Sequence, residues 1–139
     1  MKSIATILLA AAFAVACQSG ANNTESSAST ETSEVRYSGN VEVIQFHSEH
    51  RCMTCNKIEY NTQETLKNQA DVPFRTVNVD DPANEREAEA FEATGTALFL
   101  HDLETGAKKN LTEFAFMKAK DESSFMEGLQ AHIAEFKGQ

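Results

Sequence analysis

The sequence predicts an α/β domain: a four-stranded mixed sheet with helices on both faces, in the order βαβαββα. Three observations carry this. An apolar alternating run, Val41-Glu42-Val43-Ile44-Gln45-Phe46, leads into helical periodicity that begins at a Cys-x-x-Cys pair. A second strand-like run, Pro73 to Val79, follows that helix, so a helical crossover joins the first two strands and makes them parallel. Farther on, Glu104-Thr105-Gly106 forms a turn between two extended runs, which folds them into an antiparallel hairpin.

Within the expected domain, residues 41–137, each element has its own signal. The first strand is Val41 to Phe46. From Cys52, the small or apolar positions Cys55, Ile58, Thr62 and Leu66 recur at helical spacing, so a helix runs to about Asn68. The second strand is Pro73 to Val79. Asp80-Asp81-Pro82 reads as a helix start, with an acid at the cap and proline at the first helical position. That helix places Ala83, Ala88 and Phe91 on one side and is expected to stop at Gly95. Thr96 to His101 is the third strand and Ala107 to Leu111 the fourth. Thr112 to Ala119 fits neither period, and its Phe114, Phe116 and Met117 are expected to form core or a lid over it. The last helix opens at Asp121 and buries Phe125, Leu129, Ile133 and Phe136, at spacings of four, four and three.

The residues before the domain read as an export leader. Met1-Lys2 is a short basic start, and Ile4 to Ala16 is apolar but too short to span a bilayer, which suits a signal peptide over residues 1–16. The run ends Ala14-Val15-Ala16-Cys17, which is similar to a bacterial lipobox, with Cys17 as the lipidated residue. Ala14-Val15-Ala16 also fits an ordinary small-x-small cleavage site. Residues 17–40 are polar and too poor in apolar groups to fold, so they form a flexible tether spanning roughly 25 Å on average. The expected location is the bacterial cell envelope, lipid-anchored and facing the periplasm. Gln18 in place of aspartate favours the outer membrane over the inner.

The chemistry centres on Cys52 and Cys55. Two cysteines three apart at a strand-to-helix joint form a dithiol redox site. The free N–H groups and partial positive charge of a helix N-terminus favour a thiolate over a thiol. Cys52 is then the nucleophile, and Cys55, one turn on, is the resolving thiol that attacks a mixed disulfide. His50 and Arg51 immediately precede the nucleophile and would lower its pKa further when charged, or else lie in a solvated loop. Glu59 shares a helix face with Cys55 and is a candidate base, or a solvated helix glutamate. His47 ends the first strand, as a proton carrier or a packed ring. A structural zinc site would need a second cysteine pair or histidines, and only His47, His50 and His101 stand available beside the pair.

The order of elements, the Cys52-x-x-Cys55 after the first strand, the Asn78-Val79-Asp80 ending of the second and the hairpin at Gly106 together resemble the thioredoxin fold. A narrower resemblance rests on Phe46-His47, Arg51-Cys52-x-Thr54-Cys55-x-Lys57-Ile58-Glu59 and Thr76-Val77-Asn78-Val79-Asp80. These segments resemble the ArsF-type subunit of nitrophenyl-compound nitroreductases in arsenical resistance, which implies a role in reducing a nitroaromatic arsenical beside another subunit. The sequence departs from thioredoxins in three places. Ala97 stands where they carry a cis-proline facing the dithiol, so a trans bond is expected there, and Thr96 and Ala97 would shape an altered substrate groove. Phe46 stands where they carry a buried acid, so Cys55 must lose its proton to another base or to water. Arg51 replaces the tryptophan before the first cysteine, and the chain has no tryptophan at all.

The formal net charge is −9, and no basic patch is visible for nucleic acid. The expectation is a thiol–disulfide oxidoreductase or electron-transfer subunit of a reductase. It would use a redox-active Cys52–Cys55 disulfide and no other cofactor, serve a dedicated redox partner protein and reach the membrane through its lipid anchor. The alternative is a protein that holds a soft metal or an arsenical between the same two thiols without turnover.

Overall fold

The structure, a computed structural model, describes residues 40–138. The expected leader, the Cys17 lipidation point and the tether up to residue 39 lie outside the described residues. Strand β1 (Val41–His47) lies between β2 (Phe74–Asn78) and β3 (Ala97–Asp102), and β4 (Lys108–Asn110) forms the edge beyond β3. The β1–β2 pairing is parallel and the other two are antiparallel. This is a thioredoxin-like fold.

β1 is buried on both faces, which is why its alternation is incomplete. Val41 and Val43 enter one apolar cluster with Ile58 and Leu66 of α1 (Met53–Leu66), Ala115 of α3 (Thr112–Lys118), and Phe125, Leu129, Ile133 and Phe136 of α4 (Glu122–Phe136). Ile44 and Phe46 enter another with Val77, Phe99, Phe91 and Ala88 of α2 (Glu85–Ala90). Phe46, Phe91 and Phe99 pack edge-to-face or tilted at ring-centroid distances of 5.2 to 5.8 Å. Each fully buried ring of this kind contributes about 2–3 kcal/mol of transfer free energy.

Caps follow the sequence signals at two helix starts. The Asp121 side chain accepts from the Ser124 N–H at the head of α4, and that of Asp81 accepts from the Ala83 N–H. Pro82 then opens a 3₁₀ turn, Pro82–Asn84, before α2 proper.

Two expectations are corrected. Gly95 does not stop α2, which ends at Ala90. The Ala93 N–H donates to the Ala88 carbonyl and the Glu92 N–H to the Glu89 carbonyl, with Glu92 in the left-handed region at φ 53°. That is a Schellman closure with glutamate where glycine is usual. The segment after β4 is helical. Its inward stripe is Leu111, Ala115 and Ala119, while Phe116 and Met117 are 43 % and 67 % exposed and so form neither core nor lid. Phe114 alone of the three packs inward, its ring 5.4 Å from that of Phe125 and 4.9 Å from that of His132.

A polar clasp crosses the sheet at the amino end of β1. The buried Glu42 carboxylate accepts from Arg75 Nε at 2.8 Å, from Arg75 Nη2 at 3.2 Å and from His101 Nδ1 at 2.8 Å. Glu87 of α2 holds the same guanidinium at 2.5 Å. Burial pushes the Glu42 carboxyl up, but the Arg75 and His101 hydrogen bonds outweigh it and hold the group below its ordinary pKa.

Candidate functional site

The dithiol lies at the carboxyl end of β1. Cys52 has extended backbone angles and is the N-cap of α1, and its Sγ accepts from the Cys55 N–H at 3.3 Å. The nucleophile candidate thus occupies the position usually given to serine or aspartate, with its sulfur as the capping acceptor. It is exposed, whereas Cys55 is buried behind it, and both are free thiols. The Cys52 thiol is held below its ordinary pKa. The hydrogen bond from the Cys55 side chain is the largest cause, followed by the Cys55 N–H, with the Thr54 N–H adding to them. A thiolate is the better acceptor for such donors, so the cap itself favours the nucleophilic form.

Register brings β3 to the site. Phe46 pairs with Ala97, so the residue before β3 lies beside the end of β1. Thr96 Oγ1 stands 3.0 Å from Cys55 Sγ. The described residues contain no cis peptide bond, so Ala97 follows Thr96 in trans, as the missing proline led us to expect.

Phe46 is not beneath the dithiol; it points to the α2 face. The polar group beneath α1 is its neighbour Gln45, fully buried, whose Nε2 donates to the Cys55 carbonyl at 3.0 Å. Gln45 Oε1 is buried with no hydrogen-bond partner. Sequence reasoning missed Gln45, although the strand period could have found it. Val41, Val43 and Gln45 alternate onto the face that α1 covers.

The other expected residues are placed differently from one another. Arg51 forms an ion pair with Glu59, and Glu59 also accepts from Gln63 Nε2 at 3.3 Å. The structure thus brings these two together, one turn beyond Cys55, and neither contributes to the lowered Cys52 pKa. The same holds for His50, which is exposed in the loop. The groups that lower the Cys52 pKa are those of the helix cap and the second thiol. The His47 ring is hydrogen-bonded to the Ser48 carbonyl at 2.9 Å. His101 belongs to the Glu42 clasp and not to the dithiol. Among the described residues, no group of three or more His, Cys, Asp or Glu side chains converges to hold a metal ion.

Two shallow depressions lie along α1 and share Met53, the residue after Cys52. One, about 350 Å³, is lined by Met53, Asn56, Lys57 and Tyr60. The other, about 320 Å³, lies between Met53, Thr54 and Lys57 and the α3–α4 junction at Ala119 and Lys120.

No protein-family model matches the chain, and no curated protein matches it. Among solved structures, the chain is similar to a thioredoxin of Fasciola hepatica at 21% identity and TM-score 0.43, covering 58% of this chain and 77% of that one. It is similar also to a malarial protein at 21% identity and TM-score 0.41, covering 57% and 94% respectively. The topology of the described residues sets the Cys52/Cys55 pair between the carboxyl end of β1 and the head of α1.

Proposed function

We propose that the protein is a thiol–disulfide oxidoreductase that shuttles two electrons to or from a dedicated partner. Cys52 attacks the partner disulfide, a mixed disulfide forms, and Cys55 displaces the partner thiol to leave a Cys52–Cys55 disulfide. The observation that carries this reading is the exposed Cys52 sulfur, seated as the N-cap acceptor of α1 with a buried thiol one turn behind it. Export and lipid anchoring through Cys17 are part of the proposal. They are supported by the leader and tether composition of residues 1–40, and they place the dithiol in the cell envelope. A nitroaromatic arsenical as the final electron acceptor is supported only by the short motifs around Arg51–Glu59 and Thr76–Asp80.

The test is thiol and metal content of the purified chain, followed by a redox titration of Cys52 and Cys55. The expected result is a metal-free protein with a reversible two-electron transition that Cys52→Ser abolishes. A firmly held soft metal, or the absence of a reversible disulfide, overturns the carrier reading and favours binding without turnover.

A further inference from the structure

We infer that Thr96 is a catalytic residue, the proton relay of the resolving thiol; the inference rests on the dithiol reading above. To attack a mixed disulfide, Cys55 must shed its proton, and among the described residues no carboxylate or imidazole is hydrogen-bonded to its sulfur to receive it. Beneath the site stands Gln45, an amide that cannot take a proton and that already donates to the Cys55 carbonyl. Glu59 is occupied by Arg51 and Gln63. The His47 ring is bound to the Ser48 carbonyl. The hydrogen-bonding group at the Cys55 sulfur from across the site is the Thr96 hydroxyl, at 3.0 Å.

The partners of the Cys55 proton change as the reaction proceeds. In the reduced pair, the Cys55 thiol can donate to the Cys52 sulfur, which is the largest cause of the depressed Cys52 pKa. Once Cys52 is tied up in a mixed disulfide, its sulfur is no longer an anion and accepts poorly. Thr96 then remains. Its hydroxyl both accepts and donates, so it can take one proton while giving another. The backbone holds it in place: Ala97 is paired to Phe46, and the Leu98 N–H donates to Thr112 Oγ1 at 3.1 Å.

With glutathione disulfide as oxidant the steps balance. The Cys52 thiolate attacks one glutathione sulfur, forming the Cys52–glutathione bond and releasing a glutathione thiolate. The Cys55 sulfur then attacks Cys52 Sγ, forming the Cys52–Cys55 bond and breaking the Cys52–glutathione bond. The Cys55 proton passes to Thr96 Oγ1, and the Thr96 hydroxyl proton passes to the departing glutathione sulfur. The protein dithiol is oxidised by two electrons, and glutathione disulfide is reduced to one thiolate, which takes a proton from solvent, and one thiol.

The experiment mixes the reduced protein with glutathione disulfide, quenches with acid and follows the glutathionylated intermediate by mass spectrometry across pH. In Thr96→Val, the first step is expected to be unchanged and the resolving step to slow by about tenfold or more, so the intermediate accumulates. The resolving rate of that variant should rise in proportion to hydroxide, because the proton now leaves to solvent, whereas a purely structural loss would leave the pH slope as it was. Thr96→Ser should restore the rate. Thr96→Ala serves the same purpose should valine disturb the fold by circular dichroism. Resolution at the unsubstituted rate in both Val and Ala variants, or no rescue by serine, overturns the relay while leaving the dithiol reading intact. An unsubstituted protein that forms neither the intermediate nor the Cys52–Cys55 disulfide overturns both.

Discussion

Replacing Glu42 by glutamine tests whether the clasp at the amino end of β1 holds three strands together. The carboxylate is 7 % exposed and accepts three hydrogen bonds, two from Arg75 and one from His101. Hydrogen bonds to charged groups contribute about 1.5–3 kcal/mol each when fully buried. That figure must be discounted, because Arg75 is 40 % exposed and Glu87 retains its guanidinium. Glutamine also keeps one carbonyl acceptor. A net loss of about 1–2 kcal/mol near neutral pH follows, or a fall in Tm of about 5–15 °C for a domain of this size. The pH dependence has a definite sign. The folded pKa of Glu42 is lowered, so its contribution is present above the unfolded value of about 4.3 and is lost as pH falls through the folded value. Protonated Glu42 resembles glutamine, so variant and parent should converge in acid. Urea unfolding followed by circular dichroism, near neutrality and at pH about 3, measures this. Equal stability near neutrality, or a gap that persists undiminished in acid, would refute the reasoning. Dithiol kinetics should not move, because Glu42 lies at the far end of β1, about 17 Å along the strand from its exit.

Other substitutions probe single features. Glu92→Gly should stabilise the protein by about 1 kcal/mol in the same unfolding assay, because glycine removes the left-handed penalty at φ 53° in the α2 closure. Gly128→Ala should destabilise it by about 1 kcal/mol despite alanine's higher helix propensity, since the added Cβ would come 2.4 Å from Phe114 Cε2. A more stable variant would show that the Phe114 ring swings aside freely. Cys55→Ala should raise the midpoint of Cys52 alkylation against pH, because it removes the side chain that chiefly lowers that pKa. Arg51→Ala and His50→Ala should leave the midpoint in place; a large upward move in either would restore those residues to the activation of Cys52.

Much of this architecture is legible in the sequence because its signals are local. Asp81-Pro82 and Asp121 mark helix starts through capping chemistry that needs no partner element. Phe125, Leu129, Ile133 and Phe136 lie on one face of any α-helix, and all four are buried. The crossover at α1 fixes parallel pairing by handedness. What failed depended on contacts between distant residues. The α2 closure uses Glu92, whose left-handed angle no propensity predicts, because the backbone bonds to Ala88 and Glu89 and the apolar contact of Ala93 select it. The inward stripe of α3 is Leu111, Ala115 and Ala119, and two alanines make a weak signal beside the conspicuous Phe116 and Met117. At the site, the two cysteines and Thr96 could be picked out from the chain, but the Thr96–Cys55 contact needed the β1–β3 register. Arg51 and Glu59 were each assigned to a cysteine. Eight residues and two helical turns apart, they neutralise one another instead.

The capping geometry links the chemistry of the dithiol to the fold that carries it. The Cys55 and Thr54 N–H groups aimed at Cys52 Sγ act more strongly on a thiolate than on a neutral disulfide sulfur, and the Cys55 S–H donor is lost altogether when the disulfide forms. Oxidation therefore weakens the cap of α1, and by linkage the cap stabilises the reduced pair. The Gln45 bond behaves differently, because it grips the Cys55 carbonyl, which keeps its acceptor strength in both redox states. The site thus divides into a part that responds to electrons and a part that does not. The N-terminal turn of α1 sets the relative energies of the two states, while the buried amide of β1 keeps the resolving residue in position in either. An acid in place of Gln45 would couple the buried face to the redox change as well. The neutral amide confines that coupling to the exposed side of the helix, where the Cys52 sulfur lies.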